Sequence, residues 1–157
     1  THVDSSAASD VYKRQTPYSV MVTADQNSTI NEFYQKNPEL VFSRIPILNE
    51  NKIEAYVLKD TILESIINNK GSFKLKEIKR PIIISTEGTK IPKLFDKLLK
   101  KREHISLVVD GEKNTIGIVT LEDIIETILG YEIVDETDMV DDMQLLAKKI
   151  SSNGGTE

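Results

Sequence analysis

The stretch Gly117 to Gly130, GIVTLEDIIETILG, runs a short apolar strand into a helix with one threonine and two acids at the junction. Thr120 suits a helix N-cap, since its hydroxyl can accept from a backbone N–H two or three positions on, and Asp123 suits the positive end of the helix. The same groups could instead hold a ligand. An ionised carboxylate accepts two hydroxyl hydrogen bonds at once, and a helix N-terminus offers unpaired N–H groups and a favourable dipole to phosphate. Leu121, Ile124, Ile125, Ile128 and Leu129 recur at the spacing of a helix packed on a core, and Gly130 is expected to stop it. A fold-only reading explains every residue here, and the ligand-binding reading stands beside it.

Other chemistry has few candidates. There is no cysteine, which excludes disulfides, thiolate zinc sites and cysteine nucleophiles, and the only histidines are His2 and His104. No P-loop or nucleophile elbow is present, and Glu122 and Asp123, adjacent on a helix, project about 100° apart rather than towards one substrate. An enzyme is not expected. The run EIVDETDMVDD carries Glu132, Asp135, Glu136, Asp138, Asp141 and Asp142; without EF-hand spacing it reads as a solvated acidic segment before it reads as a cation site. Lys97, Lys100, Lys101 and Arg102 read as the wet face of an amphipathic helix, with phosphate binding as the alternative. His104 stands at the mouth of a strand facing a cleft, either satisfied or exposed, or else in contact with a ligand.

The whole chain has a formal net charge of −5 with 39% hydrophobic residues, a globular composition with scattered lysines, so nucleic acid is not an expected partner. No run approaches the roughly 20 apolar residues needed to cross a bilayer, so no direct membrane insertion is expected. Residues 1–15, polar and without periodicity, are set aside as a disordered leader or foreign remnant. From Tyr18 the elements follow the order β, α, β, β, α: SVMVTA, a helix over Thr29 to Asn37, RIPIL, IEAYVL around NENK, and DTILESIINNKG. From Pro81 the order returns as PIIIST, a helix from Pro92, ISLVVD, GEKN, TIGIVT and the opening helix. Ile30 and Ile91, Arg44 and His104, and Asp60 and Asp123 align about 60 residues apart. Two modules are expected, 16–79 and 80–131, followed by an acidic segment and tail, 132–157. Packed through their sheets, they would share a core and leave paired clefts.

A tandem repeat whose second copy ends in G-I-V-T-x-x-D resembles the CBS-domain pair, or Bateman module. TPYSV, SRIPIL and GIVTLEDIIETILGYEIVDETD narrow the resemblance to the cytosolic module of the CNNM/CorC family, the hemolysin-related magnesium and cobalt transport proteins. It implies an α+β fold, a tandem pair of β-α-β-β-α modules related by a pseudo-two-fold axis. It also implies a regulatory site for an adenine nucleotide (ATP, AMP or ADP), usually ATP with the Mg²⁺ it carries. Carried over by position, Asp123 would hold the ribose hydroxyls and Thr120 a phosphate oxygen; Thr16 and Pro17 would border the pocket, and Arg44, Ile45 and Pro46 would line its wall. His104 is a secondary candidate from its place in the repeat. The family pairs such modules as homodimers behind an upstream transmembrane domain, so the chain is expected to be soluble as given and to work on the cytoplasmic side of the membrane within a longer protein. The alternative is a structural homodimerisation module indifferent to nucleotide. Two departures stand out: Val57 occupies the place of Thr120 when the first module is aligned on Asp60, and the second hairpin turn, DGEKNT, is too short to carry over the phosphatase partner of eukaryotic members. Because the chain is acidic, a bare triphosphate should be repelled and a divalent cation should relieve the repulsion.

Overall fold

The computed structural model describes residues 11–134. In chain order the elements are β1 (Thr16–Pro17), β2 (Ala24–Asp25), α1 (Ile30–Lys36), β3 (Arg44–Asn49), β4 (Lys52–Leu58), α2 (Lys59–Ile67), β5 (Arg80–Pro81), β6 (Ile83–Thr86), α3 (Ile91–Lys101), β7 (Ile105–Val109), β8 (Thr115–Thr120) and α4 (Leu121–Val134). Local chemistry sets many of the boundaries. Thr29 and Glu32 exchange side-chain and backbone bonds in a capping box at the start of α1. Glu50 and Asn51 turn the first hairpin with φ of 50° and 71°, the left-handed pair that matches strand twist in a two-residue loop. Pro92 sits in the first turn of α3, where a missing N–H costs nothing, and Arg102 closes that helix in the left-handed region.

Two four-stranded sheets result, ordered β2-β3-β4-β5 and β1-β8-β7-β6. Each borrows its outer strand from the segment that leads into the other half. β1, ahead of the first module, pairs with β8 (Thr16 opposite Ile118, Pro17 opposite Gly117), while β5, ahead of the second, pairs with β4 (Tyr56 opposite Arg80, Ala55 opposite Pro81). Both borrowed strands end in proline, which lacks a ladder donor and is confined to sheet edges.

The core has three parts. Ile30, Phe33, Ile45, Ile47, Val57 and Ile62 seal α1 and α2 onto the first sheet. Ile91, Leu94, Leu98, Val108, Val119 and Ile124 do the same for α3 and α4 on the second. Between the sheets lie Ile53, Tyr56, Ile82, Ile105, Leu107 and Val109. Strand β7 is buried along its whole length because Val108 faces its helices while Ile105, Leu107 and Val109 face the other sheet. A register shift in the first hairpin leaves Glu54 unmatched between Ile53 and Ala55. That extra residue turns Ile53 towards the inter-sheet core although Ala55, two positions on, faces α1 and α2. The architecture is the α+β, pseudo-two-fold arrangement read from the repeat.

Several expectations need correction. SVMVTA is not one strand: Tyr18–Val20 is a 3₁₀ turn and only Ala24–Asp25 joins a sheet. The leader is not wholly outside the fold, for Val11–Lys13 forms a 3₁₀ turn and Val11 is fully buried in the second core; one apolar residue has no periodicity to reveal it. Gly130 does not end α4, which continues to Val134, since no residue there adopts the left-handed conformation of a stop. The side chains of the acidic run from Glu132 lie outside the described residues.

The pairings within the repeat also shift by one. Lys59 N–H donates to the Ser43 carbonyl at 2.8 Å as Leu121 N–H donates to that of His104 at 2.9 Å, so Ser43 matches His104. Arg44 opposite Leu58 then matches Ile105 opposite Thr120. Leu58 therefore stands in the place of Thr120, and Thr61, not Asp60, in the place of Asp123. The second hairpin has one more residue than the first, which displaced the alignment.

Candidate functional site

The junction of β8 and α4 is built as its residue types dictate. Thr120 Oγ1 accepts the Asp123 N–H at 3.2 Å, the N-cap bond, and Thr127 Oγ1, one turn on, donates to the Asp123 carbonyl at 2.8 Å. The Asp123 carboxylate is half-buried and, among the described residues, accepts no hydrogen bond. A partly desolvated acceptor of this kind, beside a helix N-terminus, has unused capacity for donors. Glu122 turns away and meets His104 Nδ1 at 3.2 Å with both side chains about half exposed, a surface pair of small energetic consequence.

Strand β1 brings a second wall. It lies against Gly117, where an added Cβ would collide with the Gln15 side-chain oxygen and the Thr16 carbonyl oxygen; only glycine permits this approach. The strand thereby places Thr16 across from α4. Lys13, Arg14, Gln15 and Thr16 on one side and Asp123, Glu126 and Thr127 on the other line an open cavity of about 320 Å³. Two cations and two carboxylates share this small cavity. Gln15 Oε1 is buried with no partner among the described residues, an acceptor that a bound amine or hydroxyl could satisfy.

Of the residues singled out in the sequence, the structure gathers Thr16 and Asp123 about this cavity. Thr120 holds the helix start and does not line it; Pro17 is the next residue along β1, opposite Gly117. Arg44, Ile45 and Pro46 begin β3 in the other sheet, Ile45 and Pro46 being buried, and none lines the cavity. His104 is engaged with Glu122. Lys13, Arg14 and Gln15 escaped sequence reasoning because they fall in the leader that was set aside. Glu126 and Thr127 were legible in principle, since they follow Asp123 at the i+3 and i+4 positions of one helix face.

The equivalent place in the first module is filled differently. Tyr56, matched by Ile118 in the second sheet, donates from its hydroxyl to Glu103 Oε1 at 2.7 Å, and Arg80 reaches Glu103 Oε2 at 3.8 Å while lying 5.9 Å over the tyrosine ring. Burial, and after it the adjacent Glu103 carboxylate, raises the Tyr56 pKa above the ordinary phenol value. With Leu58 and Thr61 replacing Thr120 and Asp123 and this cluster beside them, the two halves are chemically unequal.

Residues 75–130 match the CBS domain family. Over 123 residues the chain is 35% identical to a UPF0053 protein of Synechocystis sp., covering 77% of this chain and 35% of that protein. The magnesium and cobalt efflux protein CorC of Vibrio cholerae is 32% identical over 124 residues, 78% of this chain and 42% of the relative. Among solved structures, the CBS domain of the bacterial CNNM/CorC family Mg²⁺ transporter in complex with ATP superposes with a TM-score of 0.74 at 25% identity, over 82% of this chain and 92% of that one. This chain has the fold of a CBS-domain pair and is similar over most of its length to the CNNM/CorC family. It spans well under half the length of the curated relatives it matches, from 35% of the Synechocystis protein to 42% of CorC. Within the CBS pair, no described helix is long and apolar enough to cross a membrane. Among the described residues no group of three or more histidines and carboxylates could hold a metal ion.

Proposed function

We propose that this CBS pair is the regulatory adenine-nucleotide module of a CNNM/CorC-type divalent-cation transport protein, binding ATP at the β8–α4 junction of its second half. The observation that carries the reading is the half-buried Asp123 carboxylate, which accepts no hydrogen bond among the described residues and faces Thr16 across a cavity beside a helix N-terminus. A ribose diol supplies two donors to such a carboxylate, and phosphate is favoured by the N-terminal N–H groups. The ATP-bound state of a family relative supports the assignment. Lys13 and Arg14 only balance Asp123 and Glu126, which leaves no surplus positive charge for a triphosphate within a chain of net charge −5, so magnesium would ride on the phosphates rather than on a protein cage. Binding would be read out by the upstream transmembrane part of the longer protein on the cytoplasmic side.

The exposed faces of α2 and α4, with Ile67, Ile125 and Leu129 uncovered, favour pairing of two chains into a homodimer. A dimer that ignores nucleotide is the competing account.

Thr120→Asn separates cap from ligand contact, because asparagine caps as well as threonine while its amide projects differently. Asp123→Asn removes a charge-assisted bond worth roughly 1.5–3 kcal/mol, or about 10- to 100-fold in affinity. Calorimetric titration with Mg-ATP is expected to show weakened binding for both variants with folding intact. Unchanged affinity in both would reduce the motif to a well-capped helix.

A further inference from the structure

The basic residues on α3 do not act as one wet face. Lys100 pairs with Asp96 at 2.9 Å on the outer side, and Arg102, whose backbone forms the left-handed C-cap, does not line the cleft described next. Lys97 and Lys101, four apart, instead turn to a cleft of about 600 Å³ whose other walls are Lys79, Arg80, Pro81 and the run Ile82 to Ile84, with Glu103 at one end. This is the point where the chain leaves the first sheet at β5 and enters the second at β6, so the cations come from both sides of the crossing.

Four positive side chains face one carboxylate there, within a chain of net charge −5. The carboxylate is already committed to Tyr56 and Arg80, so it does little for the lysines. Among the described residues Lys79 reaches only the neutral Gln26 amide at 2.8 Å, Lys97 only the Ile84 carbonyl at 3.4 Å, and Lys101 has no ion pair or hydrogen bond. Like charges at i and i+4 destabilise a helix, and the same helix shows with Asp96 that a counter-charge is easily supplied. An uncompensated concave cluster of this sign attracts anions. Its floor is apolar, and Ile84 is about half exposed at 48%, which suits a ligand carrying an apolar portion beside its charge.

We infer that this cleft is a second anion site, taking a multiply charged phosphate group, separate from the cavity of Thr16 and Asp123. The phosphate could belong to a soluble polyphosphate or to a phospholipid headgroup, and the test distinguishes them. Amide chemical shifts of the full chain are followed during titration with sodium tripolyphosphate, and co-sedimentation is measured with phosphatidylcholine vesicles with and without phosphatidic acid. The comparison proteins are the Lys97→Glu/Lys101→Glu double variant, whose exposed positions should not disturb folding, and Asp123→Asn.

Saturable shifts centred on Arg80, Lys97 and Lys101 are expected, retained in Asp123→Asn, weakened at least about tenfold in the double variant, and strongly reduced between roughly 50 and 200 mM salt. Co-sedimentation that requires phosphatidic acid and is lost in the double variant, without saturable tripolyphosphate shifts, assigns the phosphate to a headgroup. Absence of both kinds of binding, or equal binding by wild type and double variant, overturns the inference. Loss of these shifts in Asp123→Asn alone also overturns it, since the phosphate would then belong to the other cavity.

Discussion

Gly117→Ala tests how the site is assembled without touching a proposed ligand contact. The added Cβ meets the Gln15 side-chain oxygen, which can swing away, and the Thr16 carbonyl oxygen, which cannot without moving backbone. β1 is held to β8 over only two residues, Thr16 and Pro17, so the strand should yield before the central sheet does. Overpacking of this kind costs about 1–3 kcal/mol, which for a domain near this size lowers the melting temperature by roughly 2–4 °C per kcal/mol. A fall of about 2–12 °C is expected by calorimetry or thermal denaturation. Because Thr16 leaves its place opposite Asp123, Mg-ATP affinity should fall as well, although Asp123 and the helix start are untouched. Adding Gln15→Ala relieves only the flexible contact and should restore little. A Gly117→Ala protein with unchanged melting temperature and unchanged affinity would refute the claim that close packing of β1 builds the cavity.

Three further outcomes follow from the structure. Val11→Asp places a charge in the second core, where Val11 is 0% exposed, and should lower stability by several kcal/mol; an unaltered denaturation midpoint would return residues 11–15 to the status of an unattached leader. Stability should decline as pH rises through and beyond the ordinary phenol range, because the folded-state pKa of Tyr56 lies above its unfolded value and its contribution, complete at lower pH, is lost as the folded phenol ionises. Tyr56→Phe should remove that part of the alkaline loss, and superimposable pH profiles would contradict the assignment. Ile128→Glu, on α4 among the exposed Ile125 and Leu129, should leave the chain monomeric or unfolded in sedimentation at micromolar concentration, whereas a stable dimer would remove this face as the interface.

The sequence made the module plan legible wherever periodicity was strong. The helices, both hairpins and the sheet-facing residues could be placed because 3.6- and 2-residue patterns and turn residues agreed. What stayed hidden depends on partners distant in sequence. That β1 and β5 exchange sheets follows from pairing over two residues each, too little to leave a pattern. The one-residue shift between halves arises from a hairpin insertion that an alignment anchored on Asp60 cannot see, and it moves the counterpart of Asp123 to Thr61. At the site, the cap and the acid at its third helical position were legible in T-x-x-D, but the opposite wall was not: Lys13, Arg14 and Gln15 line the cavity only because Gly117 admits the strand that follows them.

The central claim is that this CBS pair binds a nucleotide at Asp123 and needs a divalent cation to do so. Calorimetric titration of ATP into the full chain with excess Mg²⁺, and again with a chelator, tests it directly. The account predicts saturable binding with magnesium, much weaker binding without it, and at about 100 times the dissociation constant a stabilisation of roughly 2.7 kcal/mol. No heat of binding and no stabilisation in either condition would contradict it.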